Sequence, residues 1–444
     1  MKIGNTNKHI SSFRIIILGF VSAILIGTLL LMLPISTESR IGASFSDALF
    51  TSTSAVCVTG LVVHDTATYW SFFGELVILI LIQIGGMGVV TVAVSLAILS
   101  GRKIGLMQRS TMQDAISAPQ VGGIVRMTGF IFKIALAIEL FGAALLAIVF
   151  CGEFGPIKGI WYSVFHSVSA FCNAGFDLMG VKGEYSSLTS YCTQPLVNLT
   201  IIALIIIGGI GFITWDDIKC HKWRLRKYRM QSKVVLCVTA ILILLPAVYF
   251  YFFEFSNLPA SQRIWSSVFQ AITPRTAGFN SIDLTLLSET GRMLVIVLML
   301  IGGSPGSTAG GMKTTTIAVL FSASYSVCRK KEHTHFFGRR IPEGTERSAA
   351  TVALMYVFLF LMGGMIISRI ENLPLISSIF ETGSAVGTVG LSLGVTSELG
   401  AVSRAILIGL MFFGRIGGPT LILAAFSKNS TGYSKYPQEK ITVG

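Results

Sequence analysis

The segment FTSTSAVCVTGL (Phe50–Leu61) is the first of four short stretches of this chain that align with one another. The others are FHSVSAFCNAGF (Phe165–Phe176), FQAITPRTAGF (Phe269–Phe279) and FETGSAVGTVGL (Phe380–Leu391). Each stretch begins with Phe and carries a glycine ten residues later, nine in the third copy, followed by Leu or Phe. Repetition of this kind indicates four copies of one structural unit.

The composition around these segments is that of a membrane protein. Of the 444 residues 52% are hydrophobic and only 12% are charged, whereas a soluble domain carries about 25% charged residues. The first long apolar run, residues 15–33, follows a basic N-terminus and lacks the cleavage site of a signal peptide. We therefore predict an all-α polytopic membrane protein in which this run is the first transmembrane helix.

Each repeated segment lies between two long apolar spans. The predicted spans are 13–34 and 71–100, 127–151 and 195–215, 233–254 and 290–327, and 348–368 and 401–426. An apolar half-helix of ~10 residues is too short to cross a ~30 Å hydrocarbon core, so each segment should be re-entrant. The prediction is eight transmembrane helices and four re-entrant pore helices, arranged as four parallel repeats in a pseudo-fourfold ring around a single pore. The repeats are 1–126, 127–232, 233–347 and 348–444, the last including the C-terminal tail.

The formal net charge of +13 is concentrated in the loops on one side of the predicted spans. Basic residues cluster in 102–126, 219–233 and 329–347 and at both termini. This bias is the positive-inside pattern, which places both termini in the cytoplasm. It also indicates that the excess of basic residues reflects membrane topology and not nucleic-acid binding.

The cysteines and histidines do not indicate a disulfide framework or a metal site. The seven cysteines include no C-x-x-C pair, and the six histidines lack metal-ligand spacing. No nucleophile and base stand together in the sequence, so a membrane-embedded enzyme is the remote alternative.

The repeated glycines Gly60, Gly175, Gly278 and Gly390 predict a pore. Irregular backbone at membrane depth is tolerated only where it is buried in protein or lines a water-filled cavity. Four such loops on one axis offer a ring of carbonyl oxygens that can replace the hydration shell of a cation. A single glycine of this kind would be interpreted as a helix cap, but four equivalent copies favour the pore.

At this point a family resemblance emerges. The phrases LMLPIS, ALFTSTSAVCVTGL, FHSVSAFCNAGF, TPRTAGFNSID, GGSPGSTAGGMKTTT and FETGSAVGTVGLSLG…GRIGGPT resemble the Trk/Ktr/HKT superfamily of potassium transporters, most closely the membrane subunits of bacterial Ktr systems. The resemblance covers essentially the whole chain. It implies four linked M1–P–M2 units, a homodimer, and a cytosolic ring of RCK-type regulatory subunits that carry the nucleotide (ATP or ADP).

The resemblance also implies a selectivity filter at the four segments. Its lines are Cys57, Val58, Thr59 and Gly60; Cys172, Asn173, Ala174 and Gly175; Arg275, Thr276, Ala277 and Gly278; and Gly387, Thr388, Val389 and Gly390. In plant relatives a serine at the glycine position of the first repeat is associated with Na⁺ transport, so Gly60 favours K⁺.

A glycine-rich stretch interrupts the second span of the third repeat. It resembles a nucleotide-binding P-loop, but Met312 stands where that motif requires Lys. Gly and Pro disfavour helix by ~1 and ~3 kcal/mol each, so the span should break here, beneath the filter. The resemblance implies a gate made of Gly302, Gly303, Ser304, Pro305, Gly306, Ser307, Thr308, Ala309, Gly310 and Gly311, together with Lys313 and Arg415. A kinked but closed helix is the alternative.

Two cations of this predicted gate have alternative roles. Arg415 is an intramembrane charge that either raises the barrier to a cation or pairs with a carboxylate or with loop carbonyls. Lys313 invites the same interpretations, or it extends to the cytoplasmic interface.

Two further charged residues are expected to support the filter. Arg275 could brace the pore helices through Glu381 or Asp47, and Glu139, mid-span in the second repeat, either supports a filter loop or acts as a coupling carboxylate.

The predicted function is K⁺ uptake across the bacterial plasma membrane through a gated filter. A Na⁺- or H⁺-coupled symporter is the first alternative. The expected partners are K⁺ (and potentially Na⁺), a second copy of the chain, the regulatory ring and membrane lipids, without nucleic acid and without a cofactor on this chain.

Overall fold

The computed structural model describes residues 12–99, 105–116 and 123–417. The predictions for the N-terminal basic residues, for Arg102 and Lys103, and for the tail from 418 onwards lie outside these ranges. The helices are α1 (Ser12–Leu31), α2 (Phe45–Val56), α3 (Thr66–Tyr69), α4 (Phe72–Met87), α5 (Val89–Leu99), α6 (Leu106–Ile116), α7 (Ile124–Phe154), α8 (Pro156–Cys172), α9 (Pro195–Gly209), α10 (Phe212–His221), α11 (Met230–Tyr249), α12 (Ala260–Ile272), α13 (Glu289–Leu300), α14 (Thr314–Cys328), α15 (Thr345–Glu371), α16 (Leu375–Gly387) and α17 (Ala401–Ile416).

Short elements complete the path. A π-helical turn, Phe250–Glu254, extends α11, and single 3₁₀ turns lie in several of the loops. The strands β1 (His335–Phe336) and β2 (Arg339–Arg340) form an antiparallel hairpin between α14 and α15.

Four helices of the described chain are long and apolar enough to cross a membrane: α1, α7, α15, and α11 with its π-helical turn. They match the first span predicted for each repeat to within a few residues at each end. Two bent helix pairs, α4 with α5 and α9 with α10, raise the number to six if each counts as one span. Large apolar side chains are exposed along the first spans, for example Leu29 and Phe141, as expected of surfaces that face lipid.

The spans predicted at 71–100 and 195–215 are not continuous. The chain bends by 97° between α4 and α5, and again by 97° between α9 and α10. Gly88 and Gly211 lie at these bends with φ of +83° and +88°, a conformation that glycine adopts without steric cost. The sequences around them, IGGMG and IGGIG, resemble the start of the break at Gly302 in the third repeat, so the interruption belongs to several repeats.

The four helices predicted to be re-entrant, α2, α8, α12 and α16, form the core of the molecule. The phenylalanine that opens each repeated segment is fully buried in its helix. In three repeats the hydroxyl two residues after that Phe donates to a carbonyl of the preceding span. These bonds are Ser52 Oγ to Ile24 O (2.7 Å), Ser167 Oγ to Glu139 O (2.6 Å) and Thr382 Oγ1 to Phe360 O (2.9 Å). In these three repeats the first span is thus fixed to its own half-helix.

The second spans connect neighbouring repeats. Helix α4 packs on α8, α9 on α12, α13 on α16, and α17 on α2. Each repeat therefore contacts the half-helix of the next, and the fourth contacts that of the first. The contacts close a ring in chain order, and the C-terminal ends of the half-helices lead into the four glycine segments.

Candidate ion pathway

The four repeated glycines lie together, one beside the next. A Cβ atom placed on each would lie within 3 Å of a main-chain oxygen of the following segment: 2.3 Å for Gly60 and Ala174, 2.8 Å for Gly175 and Ala277, 2.3 Å for Gly278 and Val389, and 2.2 Å for Gly390 and Thr59. The segments thus form a closed ring in which a carbonyl group adjoins each glycine. Only glycine fits at these positions, because any side chain would collide with backbone.

The backbone of each segment alternates in conformation. The second residue of each line, Val58, Asn173, Thr276 or Thr388, has φ between +52° and +67°. The glycine two residues later has φ between +71° and +92°, and the residue between them is outside the left-handed region. Alternation of this kind turns successive carbonyl groups towards the same side of the chain. A cation on the ring axis would therefore meet stacked main-chain oxygens.

A hydroxyl on each half-helix holds the adjoining segment in place. Gly60 N–H donates to Ser54 Oγ (3.1 Å) and Gly390 N–H to Ser384 Oγ (3.0 Å). Ser169 Oγ donates to Phe176 O (2.7 Å) and Thr273 Oγ1 to Phe279 O (2.6 Å). These four residues, which we call the brace hydroxyls, were not predicted from the sequence. Their signal was available, since each lies four residues after the opening Phe of its segment.

We expect Ser384→Ala to lower K⁺/Na⁺ discrimination several-fold while leaving the fold intact. The change leaves the partly buried Gly390 N–H without its partner, which costs about 1 kcal/mol or more. The measurement is the Na⁺ concentration that halves ⁸⁶Rb⁺ uptake into proteoliposomes. Ser378→Ala is the matched control, because the Ser378 hydroxyl, at the other end of α16, donates to Pro374 O (3.4 Å) and not to a filter segment. Equal effects of the two changes would contradict the role of the brace.

A cavity of about 420 Å³ opens on one side of the ring, with all four glycines in its lining. Three carboxylate residues, Asp65, Asp177 and Asp283, also line it, and no basic residue does. Asp65 is held by Thr68 and by Tyr185 N–H (3.0 Å). A cavity lined by one sign of charge raises the local concentration of cations.

The glycine-rich stretch of the third repeat lies on the opposite side of the ring. It forms a loop between α13 and α14, closed by Gly302 N–H to Met312 O (2.8 Å) and by Thr314 N–H to Gly303 O (3.0 Å). A Cβ on Gly310 would lie 2.1 Å from Thr388 Oγ1 of the fourth segment. The span is therefore broken, and the kinked but closed helix is excluded.

The loop also contacts the break and the half-helix of the second repeat. Ser304 N–H donates to Gly209 O (3.0 Å), and Phe212 N–H donates to Gly306 O (2.7 Å). Thr308 Oγ1 donates to Phe171 O (3.1 Å), at the end of the second half-helix. These bonds position the loop across the ring on the side away from the acidic cavity.

Arg415 connects this loop to the first repeat. Its guanidinium donates to Thr308 O of the loop and to Gly85 O and Gly86 O at the bend between α4 and α5. Of the partners considered for Arg415, the structure shows main-chain carbonyls. No carboxylate among the described residues pairs with it. Lys313 does not extend to an interface, because its Nζ donates to Ala309 O (2.8 Å) and Gly310 O (3.2 Å).

Arg275 does not brace the pore helices as expected. Glu381 accepts from Ser392 Oγ, Leu393 N–H and Thr396 Oγ1. Asp47 pairs with Arg404 (2.7 Å) and contacts His64 (3.2 Å). Arg275 instead directs a guanidinium N–H towards Thr239 Oγ1 on α11, at 3.4 Å. The third segment is one residue shorter and ends its half-helix at Ile272, which turns Arg275 away from the ring.

Glu139 lies behind the second segment. Gln83 Nε2 donates to both of its carboxylate oxygens (3.0 and 3.2 Å), and the thiol of Cys172 lies 3.5 Å from Gln83 Oε1. The side chain therefore joins the first repeat to the second filter line. This geometry fits support of the segment rather than a site open to the pathway.

Comparison with known proteins places the chain in a family. The family model described as TrkH, cation transport protein, matches residues 5–436. The potassium/sodium uptake protein NtpJ of Enterococcus hirae is 38% identical, over 98% of each chain. The Ktr system potassium uptake protein B of Bacillus subtilis is also 38% identical, over 97% of this chain and 96% of that protein. The crystal structure of the potassium transporter TrkH from Vibrio parahaemolyticus matches with a TM-score of 0.74 at 18% identity, covering 95% of this chain and 86% of that one.

The family model spans nearly the whole sequence, and both relatives align along almost their full lengths. This excludes the alternative of a membrane-embedded enzyme and confirms the family suggested by the sequence motifs: the chain belongs to the TrkH family of cation transport proteins.

Proposed function

We propose that the chain takes up K⁺ through the axis of the glycine ring, with the carbonyl groups of the four filter lines replacing the hydration shell of the ion. The observation that carries this proposal is the contact of each repeated glycine with a carbonyl of the next segment. The carbonyl ends of α2, α8, α12 and α16 adjoin the ring, and the partial negative charge at a helix C-terminus favours a cation there.

The relatives support potassium as the cargo, although one of them is named for potassium and sodium. All four lines have glycine rather than serine at the last position, which favours K⁺. The experiment is ⁸⁶Rb⁺ uptake into proteoliposomes in the presence of increasing Na⁺. If Na⁺ and unlabelled K⁺ inhibited ⁸⁶Rb⁺ uptake equally well at the same concentration, the K⁺-selective filter would be contradicted.

Uniport through a pore is proposed over coupled symport. Within the predicted spans, Glu139 was the candidate for a coupling carboxylate besides its role in support, and Gln83 Nε2 donates to both of its oxygens. Uptake should therefore persist without a Na⁺ or pH gradient and respond only to the membrane potential and the concentration gradient of the transported ion. Uptake that stops when both gradients are removed would establish the symporter instead.

The loop 302–311 is proposed to be the gate. It lies across the ring opposite the acidic cavity, and Arg415 holds it to the first repeat. Its two ends are close together, so it can move without displacing α13 or α14. The positive charge of Arg415 beneath the ring would add a barrier to cations while the loop remains in this position.

The assembly proposed is a homodimer in the bacterial plasma membrane with cytoplasmic termini. A cytosolic RCK-type ring, which carries ATP or ADP, would regulate the gate. One relative is named as part of a Ktr system, and the basic loops fit the cytoplasmic side. Co-purification with the regulatory subunit and protease access to the loops in inside-out vesicles test this assignment.

Acidification of the outer solution should slow uptake. Burial raises the pKa of Asp177 to about 6, the Met179 N–H opposes the shift, and the neighbouring Asp65 adds to it. Asp177 is therefore charged above this pH and neutral below it, so the cavity attracts cations less strongly at pH 5 than at pH 7. We expect the initial rate of ⁸⁶Rb⁺ uptake to fall about two- to threefold over this range.

Two variants separate Asp177 from the rest of the cavity. Asp177→Asn should be slow at pH 7 and nearly independent of pH. Asp283→Asn removes a charge from the same cavity but should retain the pH dependence. A pH dependence that survives Asp177→Asn would assign it to another group.

A further inference from the structure

The loop between α10 and α11 exposes large apolar side chains next to basic ones. Residues 222–229, here called the basic loop, include Trp223, whose side chain is 96% exposed. This is the highest exposure among the large apolar residues of the described chain. Leu225 beside it is 59% exposed, and Ile218 on α10 is 42% exposed. No described part of the chain covers this apolar group.

The basic loop has an uncompensated positive charge. Lys222, Arg224, Arg226 and Lys227 are all exposed, and the described residues form no ion pair with any of them. The two nearby carboxylates have other partners. Asp216 pairs with Arg229 at 2.9 Å, and Asp217 accepts from Ser232 Oγ at 2.6 Å. Four cations therefore surround one exposed tryptophan.

The loop is held in a fixed shape. Tyr228 is buried and donates its hydroxyl to Lys222 O (2.5 Å). Arg229 N–H donates to Asp217 Oδ2 (3.0 Å), and Lys233 Nζ donates to Arg226 O (2.8 Å). Binding at this surface would thus require little ordering of the backbone, which lowers its entropic cost.

The position of the loop relative to the spans identifies its partner. The apolar span of α11 begins at Met230, directly after the loop. Helix α10 leaves α9 at 97°, so the loop projects where the two spans meet the interface. Tryptophan is enriched at the level of lipid headgroups, and clustered Lys and Arg beside a span are attracted to anionic lipid.

We propose that the basic loop binds the phosphate headgroups of anionic phospholipid, with Trp223 inserted at the interface of the leaflet. The site is separate from the ion pathway, and the inference holds whichever cation the protein carries. Anionic lipid would then anchor the junction of α10 and α11. Helix α10 connects that junction to the 302–311 loop, because its first residue, Phe212, donates its N–H to Gly306 O, so lipid bound at the far end of α10 would also affect the segment beneath the ring.

The test uses the purified full chain in vesicles of phosphatidylcholine with increasing phosphatidylglycerol, without any cytosolic partner. Brominated phosphatidylglycerol should quench the wild-type tryptophan emission more than brominated phosphatidylcholine does. Trp223→Phe should remove this difference. Replacing Lys222, Arg224, Arg226 and Lys227 by Gln should raise the phosphatidylglycerol fraction needed for half-maximal quenching by a factor of about 10 or more.

The chain offers a matched control in its other basic loop. Replacing Arg329, Lys330, Lys331 and Arg339 by Gln removes the same charge from an exposed segment without a tryptophan, and should leave the quenching curve unchanged. Equal weakening in both quadruple variants would show diffuse attraction and overturn the site. Normal lipid quenching in the basic-loop variant, with lost retention of the cytosolic regulatory subunit, would make the surface a protein-docking surface and also overturn it.

Discussion

Gly390→Ala should reduce K⁺ selectivity over Na⁺ by about tenfold or more, which needs a loss of only about 1.4 kcal/mol in discrimination. The Cβ of the alanine would lie 2.2 Å from the Thr59 carbonyl oxygen, and the alanine backbone would have to adopt φ near +92°. Both effects displace a carbonyl of the proposed filter. The measurement is ⁸⁶Rb⁺ uptake in competition with Na⁺. Gly60→Ser should act in the same way, since its Cβ would lie 2.3 Å from Ala174 O.

Gly394 provides the control for strain alone. It has the same φ of +92° four residues further on, and no atom lies within 4 Å of a Cβ placed there. Gly394→Ala should therefore have the conformational cost of a left-handed alanine, about 1–2 kcal/mol, without moving the ring. Selectivity unchanged in Gly390→Ala, or lost equally in both variants, would remove the filter from these glycines.

The ring could be anticipated from sequence because four copies of one unit are present in one chain. The opening Phe and the closing glycine of each segment share a spacing, and the structure brings the four glycines into contact. The brace hydroxyls follow the same spacing and were overlooked, because Ser and Thr are also ordinary residues of buried helices. Comparing polar positions across the copies would have found them.

The breaks at Gly88 and Gly211 were harder to anticipate. Glycine pairs occur in transmembrane helices wherever two backbones pack closely, so IGGMG and IGGIG are compatible with a straight span. What decides the bend is tertiary. A Cβ on Gly85 would lie 2.0 Å from Val56 O, and one on Gly208 would lie 2.1 Å from Phe171 O. These second spans thus abut the carbonyl ends of the half-helices, a contact that no local pattern encodes.

Arg275 illustrates a different limit of the sequence. Charge pairing predicted Glu381 or Asp47 as its partner, yet hydroxyl groups and backbone amides satisfy the first, and Arg404 and His64 the second. For buried Glu381 these hydrogen bonds take the place of a countercharge, whereas Asp47 does pair with a cation, Arg404. In the third segment, which is one residue shorter than the others, Arg275 instead directs its guanidinium towards Thr239 Oγ1.

Deleting Gly303–Gly310 should raise K⁺ flux about tenfold or more, which corresponds to a barrier lowered by about 1.4 kcal/mol. The deletion is structurally feasible, because a Cβ on Gly302 would lie 3.2 Å from the Gly311 Cα, and the two ends can be rejoined without moving α13 or α14. It removes Thr308 and with it the loop partner of Arg415. The measurement is ⁸⁶Rb⁺ uptake by the chain alone, without its regulatory subunit.

Increased flux by itself would not distinguish an open gate from a damaged protein. The ion selectivity of the deletion variant does distinguish them. If the loop is a gate in series with the ring, the deletion variant should still prefer K⁺ over Na⁺ as strongly as the wild type, because no filter residue has been removed. Adding Gly390→Ala to the deletion should keep the high flux and abolish the preference. High flux without selectivity in the deletion variant would mean that ions leak around the ring. Wild-type flux in the deletion variant would mean that this loop is not a gate. Arg415→Gln keeps the loop but removes the cation that bonds Thr308 O and Gly85 O, so its flux should lie between those of the wild type and the deletion.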